Sequence, residues 1–342
     1  MRSSEIRRDW MSGDWVIISP LRGNRPLPHV REGRGEETEE CPFCPGNEHM
    51  TPPEVWADRE GTEPDTPGWR VRSFPNMYPA LSGGGCDGFR GNEIHRVMRG
   101  CGVHEVIVDC PEHYLQPADM SLEQLERMLN AFRERYVDIS GRDRIKYVQI
   151  FRNHGMQAGR SMTHPHSQLV ATPLIPSVVQ REICLAGEYF RRTGGCLADE
   201  ALRRELSEGT RVVTDSDRFT IVCPFAAQNP YEMYIFQKEG SPSFESSSTH
   251  LLAELASLLK DILMRIDSHL EDPPYNIYIH SAPCDGEDYP YFRWHIHLVP
   301  RLIGLGGFEM GTGISINSMP PERSARALRD ELTRSTPGRP SW

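Results

Sequence analysis

The stretch THPHSQLV, residues 163–170, sets two histidines and a glutamine at alternate positions behind a proline. On a β-strand successive side chains point to opposite faces, so His164, His166 and Gln168 share one face while Pro165 and Ser167 take the other. A lone histidine there is ordinarily a core residue with its hydrogen bonds met. Three aligned polar side chains each need a partner, and the preceding loop points to one. NHGMQAGRS, residues 153–161, is rich in small residues at Gly155, Ala158, Gly159 and Ser161, which lets backbone N–H groups approach an anion closely. The pattern predicts a phosphate beside His166, with the imidazole facing it as nucleophile or general base.

The same order of elements occurs twice. A strand-like HEVIVDCPEH (104–113) precedes SLEQLERMLNAFRERYVDI (121–139), where Leu122, Leu125, Leu129 and Phe132 recur at helical spacing. A second strand, IKYVQIFRNHG (145–155), leads through the glycine-rich loop to His164-Pro165-His166. In the second half YEMYIFQKEG (231–240), the helical THLLAELASLLKDILMRI (249–266) and YNIYIHSAP (275–283) lead through a loop to WHIHLVPRL (294–302). The interval from His104 to His166 nearly equals that from Glu232 to His297, and an H-x-H falls at the same place in both. Two β-α-β-loop-β units predict an α+β fold, with a mostly antiparallel sheet and helices packed on one face. The N-terminal repeat spans residues 1–190 and the C-terminal repeat 191–342, divided near RRTGGCLADEALRRELSEGT (191–210). REGRGEETEE (31–40), GCDGFRGNE (85–93) and SPSFESSST (241–249) read as loops, and residues 332–342 as a frayed tail.

The chain's bulk excludes several function classes. With 342 residues it can bury a large core. A formal net charge of -10 argues against broad nucleic-acid binding, which needs a basic face. No run approaches the roughly 20 apolar residues of a membrane span. The start, MRSSEIRRDWMSGDW, lacks the apolar core of a secretory signal, so a cytoplasmic location is expected. Nine cysteines without such a signal are expected as metal ligands and free thiols rather than a disulfide framework. The C-x-x-C of Cys41 and Cys44 has zinc-knuckle spacing, with a redox dithiol as its rival, and two ligands do not close a tetrahedral site.

These motifs carry a resemblance. HPHSQ after NHGMQAGRS, together with SGDWVIISPLRGNRP (12–26), CPFCPGNE (41–48), FPNMYPAL (74–81), PEH (111–113), WHIHLVPRL and GGFEMGTG (306–313), resembles the galactose-1-phosphate uridylyltransferase branch of the histidine-triad superfamily. Hydrolases of that superfamily carry a third histidine where this chain has Gln168. The resemblance implies a duplicated histidine-triad fold built on one half-barrel sheet, assembled as a homodimer. It implies ping-pong transfer in which His166 attacks the α-phosphorus of UDP-glucose, expels glucose 1-phosphate and is left as a uridylyl-histidine that galactose 1-phosphate then attacks. A glutamine cannot titrate but can donate to a phosphoryl oxygen, so Gln168 favours holding the intermediate over hydrolysing it.

By the same resemblance Asn153 and Ser161 hold phosphoryl oxygens, Arg22 and Arg25 form a phosphate-binding pair, and Phe74 and Asn76 meet the nucleoside. Phe308 and Glu309, in GGFEMGTG, belong to the substrate-binding set. Zinc is implied on Cys41, Cys44, His113 and His164, where it would pin the strand carrying His166. A second metal, iron or zinc, is implied on Glu182, His280, His295 and His297, with a buried histidine network as the alternative. Arg160 departs from the pattern, standing where uridylyltransferases have a small residue. The motifs also resemble relatives that move adenylyl groups, so an ADP-glucose phosphorylase is the alternative; the second-metal histidines favour uridylyl transfer. A histidine-triad nucleotide hydrolase and a non-catalytic nucleotide-binding protein are further readings. Gln168 argues against the first, and the intact motif around His166 against the second.

Overall fold

The structure, a computed structural model, describes residues 3–24, 40–83 and 86–334. In chain order its strands are β1 (Glu5–Arg8), β2 (Trp15–Ile18), β3 (Trp56–Arg59), β4 (Trp69–Pro75), β5 (Arg90–Gly91), β6 (Arg96–Val97), β7 (Val103–Val108), β8 (Tyr147–His154), β9 (His166–Thr172), β10 (Val212–Asp215), β11 (Phe219–Val222), β12 (Met233–Gln237), β13 (Tyr275–His280), β14 (His295–Pro300) and β15 (Ser315–Asn317). The helices are α1 (Leu122–Ser140), α2 (Ser177–Thr193), α3 (Leu197–Glu208), α4 (Thr249–Leu270), α5 (Gly307–Thr312) and α6 (Pro321–Arg334).

A ten-stranded sheet in the order β10-β11-β12-β14-β13-β8-β9-β7-β4-β3 runs through both halves, and every pairing in it is antiparallel. The sequence repeat appears as two triplets of mirrored order, β7-β9-β8 and β12-β14-β13, joined where β8 pairs β13 from Tyr275 opposite His154 to Ile279 opposite Ile150. One face of this sheet is covered by α1 and α4. Ser121 caps α1 by accepting the Gln124 N–H, and Ser248 caps α4 by accepting the Leu251 N–H. Leu125, Met128, Leu129, Phe132 and Tyr136 of α1, and Leu252, Leu255, Leu259 and Ile262 of α4, pack with Ile150, Leu169, Ile277 and Ile296 of the sheet. Burying each such side chain contributes roughly 1.5–3 kcal/mol. Leu122, expected in the α1 stripe, is 45% exposed. It sits in the first turn at the margin of a stripe centred on Leu129, Phe132 and Tyr136.

The other face carries the polar residues. Strand register aligns Gln168 with Phe151, Phe151 with Tyr278, Tyr278 with His297 and His297 with Tyr234, so one row of side chains crosses five strands. Both H-x-H motifs therefore open onto the same side. A smaller sheet, β1-β2-β15, packs Val16 and Ile18 against Ala226.

Several sequence expectations change. Strand β9 begins at His166, so His164 lies before the strand rather than on it. Pro165 between them has no N–H to give a ladder, although its carbonyl accepts the Asp109 N–H. Residues 191–210, read from the sequence without an assigned element, hold the end of α2, a left-handed turn at Gly194, and α3. The stretch 85–93 contains β5, which pairs with β6. That hairpin brings Cys86 and Cys101 to a Cα separation of 5.5 Å in a disulfide, so two of the nine cysteines are neither metal ligands nor free thiols. Residues 332–334, read as the start of a frayed tail, instead end α6, while 31–39 and 335–342 of the expected loop and tail lie outside the described residues, as does Arg25. Among the described residues no helix is long and apolar enough to cross a membrane.

Candidate active site

His166 opens β9 with a side chain only 7% exposed. Its Nδ1 lies 2.8 Å from the His164 carbonyl. A carbonyl only accepts, so Nδ1 carries the proton and Nε2 keeps its lone pair. Burial, reinforced by the charges of Arg152 and Arg160, pushes His166 down to about 4, which keeps the ring neutral and Nε2 unprotonated near pH 7. Below the strand, buried Arg152 pairs with fully buried Asp109 and reaches the His166 carbonyl at 3.4 Å. Phe43, one of the two residues between Cys41 and Cys44, meets the His166 ring edge-on, with ring centroids 5.4 Å apart.

Gln168 shares the open face two residues on, its Oε1 2.9 Å from His104 Nε2. Asn153, next to last in β8, is tied to the glycine-rich loop, donating to the Gly159 carbonyl at 3.3 Å and accepting from Asn276 at 2.9 Å. Gly159 has φ 89°, a left-handed conformation that a side chain would strain. Ser161 is exposed at the end of that loop. Asn76 lies 3.3 Å from the same His104 nitrogen, whereas Phe74 is 2% exposed and packs with Trp69, Val106, Val108 and Phe43. Arg22 and Phe308 are exposed and Glu309 is half-buried, on the turn after β2 and on α5; no hydrogen bond, ion pair or ring contact among the described residues joins them to His166. Glu309 instead accepts the Gly306 N–H at 3.0 Å.

Two donor clusters flank this row. Cys41, Cys44, His113 and His164 bring one donor atom each within 4.8 Å of one another. His113 Nδ1 stands 3.2 Å from Cys44 Sγ, and His164 Nδ1 stands 3.5 Å from Cys44 Sγ and 3.8 Å from Cys41 Sγ. His164 Nε2 donates to the Cys110 carbonyl at 2.9 Å, which fixes the ring with Nδ1 toward the sulfurs. Burial and the neighbouring Cys41 push the Cys44 thiol up to about 11, and burial pushes His164 down to about 4. Two cysteine sulfurs and two imidazole nitrogens fit a tetrahedral zinc ion, whose charge would favour the thiolates.

The second cluster, Glu182, His280, His295 and His297, is wholly buried and equally tight. Glu182 contacts His280 Nδ1 at 3.0 Å, and His295 Nε2 lies 3.0 Å from His297 Nε2. Burial alone would raise the Glu182 carboxyl, but His280 and His295 beside it hold it below the ordinary range. Burial drives His295 down to about 4 and holds His297 well below the usual imidazole range. His297 Nδ1 has no hydrogen-bond partner among the described residues. Three imidazoles facing a carboxylate suit a divalent cation such as iron or zinc.

Sequence reading assigned no role to Phe43, His104 or Arg152. His104 alone had a usable signal, since it alternates with Val106 and Val108 on the face that carries Gln168.

Comparison with known proteins agrees with this architecture. Residues 1–176 match the N-terminal domain of galactose-1-phosphate uridyl transferase, and residues 182–314 its C-terminal domain. ADP-glucose phosphorylase of Arabidopsis thaliana is 36% identical over 96% of this chain and 93% of its own length. Its crystal structure with bound ADP-glucose superposes with a TM-score of 0.83 at 35% identity, covering 96% of this chain and 99% of that one. Galactose-1-phosphate uridylyltransferase of Schizosaccharomyces pombe is 30% identical over 96% of this chain and 94% of its own. A solved uridylyltransferase at 26% identity has a TM-score of 0.75, covering 97% and 100% of the two chains. With both domain models matched in order along a sheet that carries the HPH motif, the chain belongs to the galactose-1-phosphate uridyl transferase family.

Proposed function

We propose that His166 is a covalent nucleophile, its Nε2 attacking the α-phosphorus of a sugar nucleotide. The P–O bond to the sugar 1-phosphate breaks, that group leaves, and a nucleotidyl-His166 remains for a second sugar phosphate to attack. The carrying observation is the ring's fixed polarity: Nδ1–H is committed to the His164 carbonyl, so the lone pair sits on Nε2. Positive charge forming on the ring is offset by that carbonyl. Gln168, Ser161 and the 155–161 loop hold the phosphoryl oxygens in this reading. A sugar 1-phosphate leaves as a stable anion, so no titrating acid is required where Gln168 stands.

Zinc on Cys41, Cys44, His113 and His164 would supply structural charge compensation; His164 in turn sets the carbonyl that orients His166. Arg22, Phe308 and Glu309 stand apart from His166 within one protomer. The homodimer that the resemblance implies would let these residues, with Arg25, serve a site shared between copies.

The donor in our reading is UDP-glucose and the acceptor galactose 1-phosphate. Glu182, His280, His295 and His297 support this, since by resemblance that cluster marks uridylyl-transferring members. The Asn76 –NH2 can also donate to a carbonyl of uracil. A second reading, adenylyl transfer from ADP-glucose, is favoured by the 36% identity to the Arabidopsis phosphorylase, against 30% to the fission-yeast transferase. Intact-mass spectrometry after incubation with each sugar nucleotide, without acceptor, tests both. A uridylyl adduct on His166 is expected. Preferential adenylylation moves the assignment to ADP-glucose, and no adduct with either refutes covalent transfer.

A further inference from the structure

We propose that His104 is a positioning residue that sets which end of the Gln168 amide faces the transferred phosphoryl group. The proposal rests on the nucleotidyl-transfer reading and adds to it a proton arrangement. The Ala80 backbone N–H donates to His104 Nδ1 at 3.0 Å. That nitrogen must therefore offer a lone pair, which puts the ring's one proton on Nε2. Nε2 lies 2.9 Å from Gln168 Oε1 and donates to it. Oε1 is then committed, and the –NH2 end of Gln168 is turned toward the open face as a donor for an anionic oxygen.

The two ends of a glutamine amide are nearly isosteric, so nothing in its shape decides which faces a phosphate. Turned the other way, Oε1 would oppose a phosphoryl oxygen, lone pair against lone pair. Strand register makes the contact: His104 lies opposite Val170 and Gln168 opposite Val106, so the two side chains meet on the diagonal of one face.

The same imidazole holds the turn that carries Asn76. Besides Ala80, the Asn76 N–H donates to the His104 carbonyl at 2.8 Å. Asn76 Oδ1 accepts the Tyr78 N–H at 2.8 Å, so its –NH2 faces His104 Nε2 at 3.3 Å. Two donors do not bond each other, and the Asn76 amide hydrogens stay available to a ligand. His104 thus joins the turn expected to meet the nucleoside to the amide expected to meet the phosphate.

The test is rapid-quench measurement of nucleotidyl-His166 formation with whichever of UDP-glucose and ADP-glucose labels the wild type. His104→Asn keeps an acceptor near the Nδ1 position for the Ala80 N–H and removes the Nε2 donor; His104→Gln restores a donor near Nε2. We expect His104→Asn to slow adduct formation about tenfold, the worth of one hydrogen bond to a charged group, and His104→Gln to recover most of it. Combined with Gln168→Ala, His104→Asn should add no more than about a twofold loss, because an absent amide cannot be misplaced. Multiplying losses, or a wild-type rate in His104→Asn, overturns the proposal. Imidazole 15N shifts of the unmodified protein give a check that no substitution disturbs, and a His104 ring protonated on Nδ1 overturns it as well. A wild type that forms no adduct refutes the transfer reading itself, and this role with it.

Discussion

Replacing Glu232 by glutamine should make the protein more stable, by an amount that grows with pH. Glu232 lies just before β12, 4% exposed, on a cavity of about 510 Å³ that it shares with Asp9, Tyr278 and His297. Its Oε2 accepts the backbone N–H groups of Gln228 and Asn229 at 2.7 and 2.8 Å, which favours the carboxylate, yet burial dominates and pushes the group from 4.5 up to about 7. The folded protein therefore holds this proton more tightly than the unfolded chain. Stability from that proton is fully present below pH 4.5 and is lost as pH rises through about 7, levelling off above. At 1.36 kcal/mol per pKa unit, the loss between pH 5 and 8 is about 2.5 kcal/mol. Glutamine keeps an acceptor for both N–H groups and has no proton to lose. Urea unfolding of wild type and Glu232→Gln at unit pH steps should show their difference widening by about this amount from pH 5 to 8 and then staying constant. Titrations common to both proteins cancel in the comparison. A difference that does not change with pH would refute the argument.

His166→Asn should abolish adduct formation and lower turnover roughly 10³-fold or more, with metal content and melting temperature unchanged; substantial residual transfer would contradict covalent catalysis. Cys44→Ser should lower the zinc found by elemental analysis by about one ion per chain and the melting temperature by roughly 5 °C or more. Native protein purified without chelator and free of zinc would contradict that. Arg135→Leu should cost about 3–5 kcal/mol in urea unfolding, because it strands Glu105, which is 3% exposed and held by two 2.8 Å contacts to that guanidinium. A loss below about 1 kcal/mol would show that the buried pair is dispensable.

The repeat was legible because periodicity survives in one chain: leucines at helical spacing and two H-x-H motifs in equal phase dictate α1, α4, β9 and β14. The donor clusters were legible through the resemblance, which joined Cys41 and Cys44 to histidines far along the chain. What stayed hidden depends on close approach in space. The Cys86–Cys101 disulfide needs the β5–β6 hairpin to bring its ends together, and nothing in a count of nine cysteines selects that pair. Arg152 reads as an ordinary strand-edge cation until Asp109 is found beneath it. Phe43 looks like a spacer between two ligands, yet its ring is what His166 faces. His164, aligned with His166 by alternation, turns away because Pro165 delays the strand and the cysteines claim its ring.

The pairing of β8 with β13 makes the molecule two halves sharing one seam. Cutting the chain between them would turn β8 and β13 into edge strands, each with one row of N–H and C=O groups open to water. The nearest replacement of matching shape for either half is a second copy of itself, strand against strand about a twofold axis. The single chain thus encloses within one polypeptide what would otherwise be a symmetric pair. That enclosure lets the two halves differ on one shared face, one presenting His166 and Gln168 and the other His295 and His297.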